Sequence, residues 1–194
     1  MKIFDCTTFF NENLMLEVRF NILNKYVDKF VIAEAKYSHS GETKKLNFNI
    51  KKFSEFKSKI IYLVVENEPE NLNYQKNNNT IYEKDSDMRP NSIKRISLQR
   101  NKLLDVLNEA DNEDYIFYSD NDEIPNLEDI DFEINQNKIL IFKQKLFYYK
   151  FNLFCDRVDW YGTKGCQKKD LISFSWLREV KPKKYSFFRF DTFF

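Results

Sequence analysis

Apolar segments and amphipathic segments alternate along much of the chain. The apolar segments are short and rich in β-branched and aromatic residues, which is typical of buried strands. The segments between them carry apolar residues three or four positions apart, which is typical of helices. Because strands and helices alternate, the pattern predicts an α/β fold with helices on the faces of a mostly parallel sheet. The predicted strands cover residues 2–10, 28–35, 59–65 and 114–119, and the predicted helices cover residues 11–25, 48–57 and 92–110.

The remaining segments give weaker signals. Residues 67–91 are polar and include three consecutive asparagines, so we expect a long loop there. Residues 126–131 are expected to form a short helix, and residues 138–151 one or two strands. The chain after residue 151 is expected to be irregular. No internal repeat or linker interrupts the pattern, so residues 1–194 are interpreted as a single domain.

Helical spacing also predicts which side chains face the core. In the first helix, one face carries Met15, Val18, Ile22 and Tyr26, and in the second, Phe53 and Phe56 point inward.

The third helix has a cation on its apolar stripe, which comprises Ile93, Ile96, Leu103, Leu104 and Leu107. Arg100 completes that stripe, and a buried arginine needs a partner because an unpaired buried charge is costly. Arg100 either pairs with a structural carboxylate or reaches a substrate phosphate or the acidic residues described next. The spacing alone does not decide between these. Asn101, one position further round the helix, could face the same cleft.

Three carboxylates follow directly after the fourth predicted strand. They are Asp120, Asp122 and Glu123, and Pro125 then stops the strand. In open α/β sheets, ligands bind beyond the carboxyl ends of the strands. Carboxylate oxygens suit Mg²⁺ or Mn²⁺, which proteins commonly share with substrate phosphates. The pattern is that of either a metal-bridged phosphate ester or an ordinary acidic turn. Ile124 and Pro125 exclude a calcium-binding EF loop, and Ile124 also breaks the pattern of an aspartyl-phosphate phosphatase.

The ends of the first two strands carry polar residues that belong at the same edge of the sheet. These are Thr7 and Thr8 on the first strand and Glu34 on the second. We expect a nucleotide to lie at this edge, with Glu34 as an acceptor for a base or ribose, although an ordinary strand-end carboxylate would look the same. Trp160 and Tyr161 could stack on a sugar or base, or could belong to the core.

Composition removes several classes of function. The 31 basic and 30 acidic residues give a net charge of +1, which provides no electrostatic case for nucleic acid or an anionic membrane. Three glycines without the required spacing exclude a P-loop and a Gly-x-Gly-x-x-Gly dinucleotide site. His39 is the sole histidine, so a histidine-rich metal site is excluded. Three cysteines without Cys-x-x-Cys spacing argue against a disulfide framework and structural zinc. With neither a signal peptide nor a membrane span in the sequence, we expect a cytoplasmic protein.

Several segments together resemble glycosyltransferase family 17, whose best-known member adds a bisecting N-acetylglucosamine to glycoprotein glycans. The most specific is Ser-Asp-Asn-Asp-Glu-Ile-Pro at residues 119–125. The others occur in order along the chain, at residues 4–12, 27–35, 40–41, 99–101 and 159–163.

The resemblance implies a GT-A-like three-layer sandwich and an inverting transfer from a nucleotide sugar, expected to be UDP-N-acetylglucosamine, to a glycan or glycoconjugate acceptor. It implies that Mn²⁺ or Mg²⁺ binds Asp120 and Asp122, with Glu123 as a supporting acid. Arg100 and Asn101 match a motif expected to face the donor. Thr7, Thr8 and Glu34 correspond to positions on the nucleotide side.

One departure from the family leaves alternatives open. The family pattern continues beyond this sequence with a tryptophan- and histidine-containing motif, so we expect the C-terminal part to be missing. A non-catalytic protein that binds a nucleotide sugar or glycan would fit the same residues. A sugar nucleotidylyltransferase is a third possibility, but such enzymes usually carry a glycine-rich basic loop near the N-terminus, and none is present. The acceptor, the general base and the oligomeric state are not predicted.

Overall fold

The computed structural model describes residues 1–73, 81–136, 138–150 and 152–182. Its centre is a six-stranded sheet with the order β3-β2-β1-β4-β6-β5. The first four strands are parallel, and β6 pairs antiparallel with both β4 and β5. The strands are β1 (Ile3–Phe9), β2 (Lys29–Ala35), β3 (Ile60–Val65), β4 (Tyr115–Ser119), β5 (Leu140–Phe147) and β6 (Phe154–Gln167). The predicted α/β class and the four predicted parallel strands are confirmed.

Helical segments cover the sheet. The α-helices are α1 (Asn13–Leu23), α2 (Ile81–Asn101) and α3 (Phe174–Glu179), and the 3-10 helices are Ile50–Phe56, Lys102–Glu109 and Lys168–Asp170. Within the described ranges, none of these combines the length and the apolar character needed to cross a bilayer.

Two apolar clusters form because alternate residues of each strand point to opposite faces of the sheet. Phe30 and Ile32 of β2 belong to one cluster, and Val31 and Ala33 to the other. The first cluster contains α1 residues and the predicted inward pair Phe53 and Phe56, which is confirmed. The second contains buried residues from the segment that follows α2 and from α3. They are Leu103, Val106, Phe174 and Leu177.

The predicted buried face of the first helix is wrong for two of its four residues, whereas Tyr26 packs against the first apolar cluster as predicted. Val18 and Ile22 are exposed, whereas Leu16, Phe20 and Leu23 are fully buried. Arg19 is also fully buried, because Asp5 on β1 neutralises it. The prediction considered only the spacing of apolar residues, so it did not place Arg19 on the buried face of the helix.

Three predicted segments differ from the structure. Residues 81–91 are helical rather than a loop, with Pro90 inside α2, while the asparagines at 77–79 lie outside the described residues. Residues 126–131 are not helical; they contain a turn at residues 128–129, where the Asn126 side chain accepts a hydrogen bond from the Glu128 amide. The stretch expected to be irregular contains the long strand β6 and the helix α3, which Ser173 caps.

Candidate active site

The acidic residues predicted from the sequence lie at the carboxyl end of β4, next to the end of β1. Thr7 pairs with Ser119 in the sheet, so Asp120 emerges beside Thr8. Asp120, Asp122 and Glu123 all line an open cleft with a volume of about 1180 Å³. The site therefore occupies the place that open α/β sheets use for ligands.

A buried arginine fixes the backbone of this turn. Arg19 on α1 binds Asp5 through two hydrogen bonds, of 2.7 and 2.6 Å, and Nη2 also donates to Ser119 Oγ at 2.6 Å. Arg19 Nη1 donates to the carbonyl oxygens of Asp120 and Asn121 at 3.3 Å and of Glu123 at 3.1 Å. Burial opposes the charge, but the Asp5 carboxylate raises the pKa of Arg19 above its ordinary value. A permanent cation therefore holds three backbone carbonyls of the acidic turn in place.

The Glu123 carboxylate binds several neighbouring groups at the site. Its carboxylate accepts hydrogen bonds from the Asp120 amide at 3.0 Å and from Trp160 Nε1 at 2.9 Å. Arg178 on α3 donates to both of its oxygens, at 2.6 and 3.0 Å. Since Glu123 is only 7% exposed and both of its oxygens are engaged, it fixes the positions of the groups around it. Its role as a supporting acid stays a prediction.

The two aspartates are more accessible than Glu123. The Asp120 side chain is 39% exposed and contacts Arg178 Nη2 at 2.8 Å. Asp122 is exposed and makes no hydrogen bond or ion pair with another described residue. Between them, the buried Asn121 Oδ1 also has no hydrogen-bond partner in the described ranges.

These oxygens fit a divalent cation of the magnesium class. Mg²⁺ is commonly held by one or two carboxylates, with water and substrate phosphates completing its shell. Among the described residues there is no group of three or more His, Cys, Asp or Glu side chains placed to hold a metal. Metal binding by Asp120 and Asp122 stays a prediction, in which a substrate would supply part of the metal's shell.

Arg100 points towards the acidic residues and lines the cleft. Its Nε donates to Tyr118 Oη at 3.0 Å, and its Nη2 lies 3.8 Å from Asp120 Oδ1. Burial and the nearby Asp120 raise the pKa of Tyr118 to about 12, so the tyrosine stays neutral. Of the two alternatives for Arg100, the geometry favours the one in which it faces the cleft.

The apolar stripe predicted around Arg100 is confirmed only in the segment after α2, where Leu103 is buried in the second apolar cluster and Leu104 and Leu107 pack against it. It is not the buried face of α2 itself. Ile93 is 56% exposed, whereas Asn91, Arg95 and Gln99 are buried. Gln99 Nε2 donates to the carbonyl oxygens of Phe9 and Ala33 at the strand ends, at 3.2 and 2.9 Å. Gln99 is buried on this face because these strand carbonyls need donors.

The other predicted nucleotide-side residues are arranged differently. Thr8 lines the cleft, but Thr7, Glu34 and Asn101 are not among the lining residues. The Thr7 hydroxyl donates to the Ser119 carbonyl at 3.0 Å, and Asn101 Oδ1 accepts from the Ser175 amide at 3.2 Å, which ties α2 to α3. Their part in donor binding stays a prediction.

Glu34 is buried, and its oxygens are already occupied. It accepts hydrogen bonds from the Asn47 and Phe48 amides, at 2.7 and 3.0 Å, and from Tyr62 Oη at 2.8 Å. Lys44 completes this set as an ion pair. The carboxylate thus fixes the segment that follows β2, and its proposed contact with a base or ribose also stays a prediction.

Arg178 and Lys164 are among the cations near the acidic turn that were not predicted from the sequence. Arg178 lies on a short helix whose position depends on long-range packing, so no local signal marked it. Lys164 on β6 is buried, and its ammonium donates to the Arg178 carbonyl oxygen. Burial, together with the charge of Arg178, lowers the pKa of Lys164 to about 8.

Comparison with known proteins gives one match. The family model for glycosyltransferase family 17 matches residues 1–180. No curated protein and no solved structure matches the chain. The family match includes β1–β6 and the complete acidic turn, in agreement with the resemblance seen in the sequence. The chain therefore belongs to glycosyltransferase family 17.

Proposed function

We propose that this protein is a metal-dependent, inverting glycosyltransferase that moves N-acetylglucosamine from a UDP-sugar to a glycan acceptor. The observation that carries the proposal is the pair of accessible carboxylates, Asp120 and Asp122, on a rigid turn at the mouth of the cleft. The family match supports the sugar-transfer class.

Asp120 and Asp122 would hold Mn²⁺ or Mg²⁺ together with the donor diphosphate. When bound, the cation would supply positive charge to the departing diphosphate. The protein's own contribution is rigidity, because Arg19 fixes the turn carbonyls and Glu123 fixes the Asp120 amide. Such preorganisation avoids the cost of arranging charges during the reaction.

Arg100 would bind the diphosphate beside the metal-binding carboxylates. Its guanidinium is held by the neutral Tyr118 hydroxyl and lies 3.8 Å from Asp120 Oδ1. Arginine presents a planar set of donors that matches phosphate oxygens. In an inverting transfer, an acceptor hydroxyl forms the new bond to the anomeric carbon as the bond to the UDP oxygen breaks. The acceptor loses its proton to a base that is not assigned to a residue.

The β5–β6 hairpin would contribute the acceptor side of the cleft. Its side chains Lys145, Phe147, Tyr149 and Trp160 line the cleft. Aromatic rings at such a wall provide flat apolar surfaces with polar edges, which suit the alternating apolar and hydroxyl character of sugars. The class of glycan is not specified by these residues.

A donor screen tests the proposal. UDP release would be followed with Mn²⁺ present, using several UDP-sugars, each with and without a mixture of glycan acceptors. We expect UDP release to depend on Mn²⁺ and to be greatest with UDP-N-acetylglucosamine plus acceptor. Binding of a UDP-sugar without any release of UDP would instead show a non-catalytic binding protein. Release of pyrophosphate from UTP and a sugar phosphate would show a nucleotidylyltransferase.

A further inference from the structure

Arg178 connects two carboxylates that differ in accessibility. Its Nη2 contacts Asp120 Oδ2 at 2.8 Å, and its Nη1 and Nη2 donate to Glu123 at 2.6 and 3.0 Å. Nη1 also donates to the Gly162 carbonyl oxygen at 3.0 Å. Arg178 makes two hydrogen bonds to the buried Glu123 carboxylate but only one to the solvent-accessible Asp120 carboxylate. Glu123 is therefore the fixed partner of Arg178, and Asp120 is the partner that can exchange.

A cation at Asp120 and Asp122 would compete with Arg178 for the same carboxylate. Two positive groups cannot both make close contact with Asp120 Oδ2 without mutual repulsion. If Asp120 turns to a metal, Arg178 remains anchored to Glu123 and keeps a donor directed into the cleft. A diphosphate bound there offers oxygen acceptors for that donor.

We propose that Arg178 is an exchangeable counter-ion, paired with Asp120 in the absence of ligand and transferred to the donor diphosphate when the metal and nucleotide bind. This inference rests on the proposed function, since it needs a metal–diphosphate at the site. Arg178 would then be a third positive group that binds the departing diphosphate, besides the metal and Arg100. It would also oppose metal binding in the absence of nucleotide.

The opposing effects give a direct test with Arg178→Gln. Mn²⁺ binding is measured first without nucleotide, by the paramagnetic resonance signal of free Mn²⁺. UDP binding is then measured by calorimetry at saturating Mn²⁺. We expect the variant to bind Mn²⁺ alone more tightly than the wild type, and UDP at least about tenfold more weakly, the effect of losing one charged hydrogen bond. A merely structural role would leave both affinities unchanged or weaken both.

Arg157→Gln is the matched control, because Arg157 is exposed on β6 and outside the cleft lining. It removes the same charge and should change neither affinity. An unchanged Mn²⁺ affinity or an unchanged UDP affinity in Arg178→Gln would overturn the inference. If the wild type binds UDP with Mn²⁺ in that experiment, the proposed function survives the failure. If the wild type binds no UDP, the proposed function fails and the inference fails with it.

A measurement on the wild type covers the case in which Arg178→Gln does not fold, since that variant leaves the buried Glu123 without its main partner. The side-chain Nε resonance of Arg178 is assigned by its absence from the spectrum of Arg178→Lys. We expect it to shift when Mg²⁺ is added and to shift again when UDP follows. A resonance that is unaffected by both additions would overturn the inference.

Discussion

Arg19 and Asp5 form a two-point ion pair in the core, with nitrogen–oxygen distances of 2.7 and 2.6 Å and almost no exposure of either side chain. The same guanidinium reaches the carbonyls of the acidic turn, so the pair connects α1 and β1 to the end of β4. The fold and the candidate site therefore depend on one buried cation.

Replacing Arg19 with methionine is expected to destabilise the fold by about 3–5 kcal/mol, because Asp5 is left as a buried unpaired charge. Urea unfolding measures the change in the free energy of unfolding. The double variant Asp5→Asn with Arg19→Met should recover part of the loss, since the remaining charge is gone. Lys25→Met is the control, because its pair with Glu128, at 3.9 Å, is exposed to solvent and exposed ion pairs contribute little to stability. A loss in Arg19→Met no larger than in this control would contradict the interpretation.

Lys164 is expected to make stability depend on alkaline pH. Its pKa is about 8 in the folded protein and about 10.5 when unfolded. Between these values the unfolded chain binds more protons, so the contribution of Lys164 to the free energy of unfolding rises with pH. Relative to Lys164→Met, the wild type should gain stability as pH rises from about 8 to about 10. Urea unfolding of both proteins across this range provides the test, and parallel pH profiles would contradict it.

Trp160 is expected to report on ligand binding. Its indole lines the cleft and donates to Glu123 at 2.9 Å, whereas Trp176 is half-buried and packs against the second apolar cluster. Titration with UDP and Mn²⁺ should therefore change the fluorescence of the wild type and of Trp176→Phe. The change should be absent from Trp160→Phe. A signal that is lost in Trp176→Phe and kept in Trp160→Phe would place the ligand elsewhere.

The features that were predicted correctly from the sequence are those that short local patterns indicate. The strands β1 to β4 are short segments rich in apolar, β-branched and aromatic residues, and the acidic turn follows β4 directly, so both are visible within a few residues. The position of the turn at the sheet edge follows from parallel topology, which the alternation of strands and helices indicates.

The features that sequence missed depend on distant partners. Arg178 lies 58 residues from Asp120, and only the packing of α3 brings them together. Arg19 was not singled out in the sequence because its neutralising partner, Asp5, is on another element. The strand β6 was missed because its first half is exposed and interrupted by charged residues, so it lacks a clear apolar run.

The proposed function depends most directly on the metal-binding role of Asp122. Because this side chain is exposed and makes no hydrogen bond or ion pair with another described residue, Asp122→Asn should change the free energy of unfolding by less than about 0.5 kcal/mol. Any effect on binding would then be local. Asp129→Asn is the matched control, since Asp129 is exposed in the same segment but outside the cleft lining.

The decisive measurement is calorimetric titration of UDP-N-acetylglucosamine, in the presence of Mn²⁺, into the wild type, Asp122→Asn and Asp129→Asn. If Asp122 binds the metal, UDP-N-acetylglucosamine should bind saturably to the wild type and to Asp129→Asn. It should bind at least roughly tenfold more weakly to Asp122→Asn. Equal affinity of all three proteins, or binding to the wild type that is unaffected by removal of Mn²⁺, would contradict this prediction.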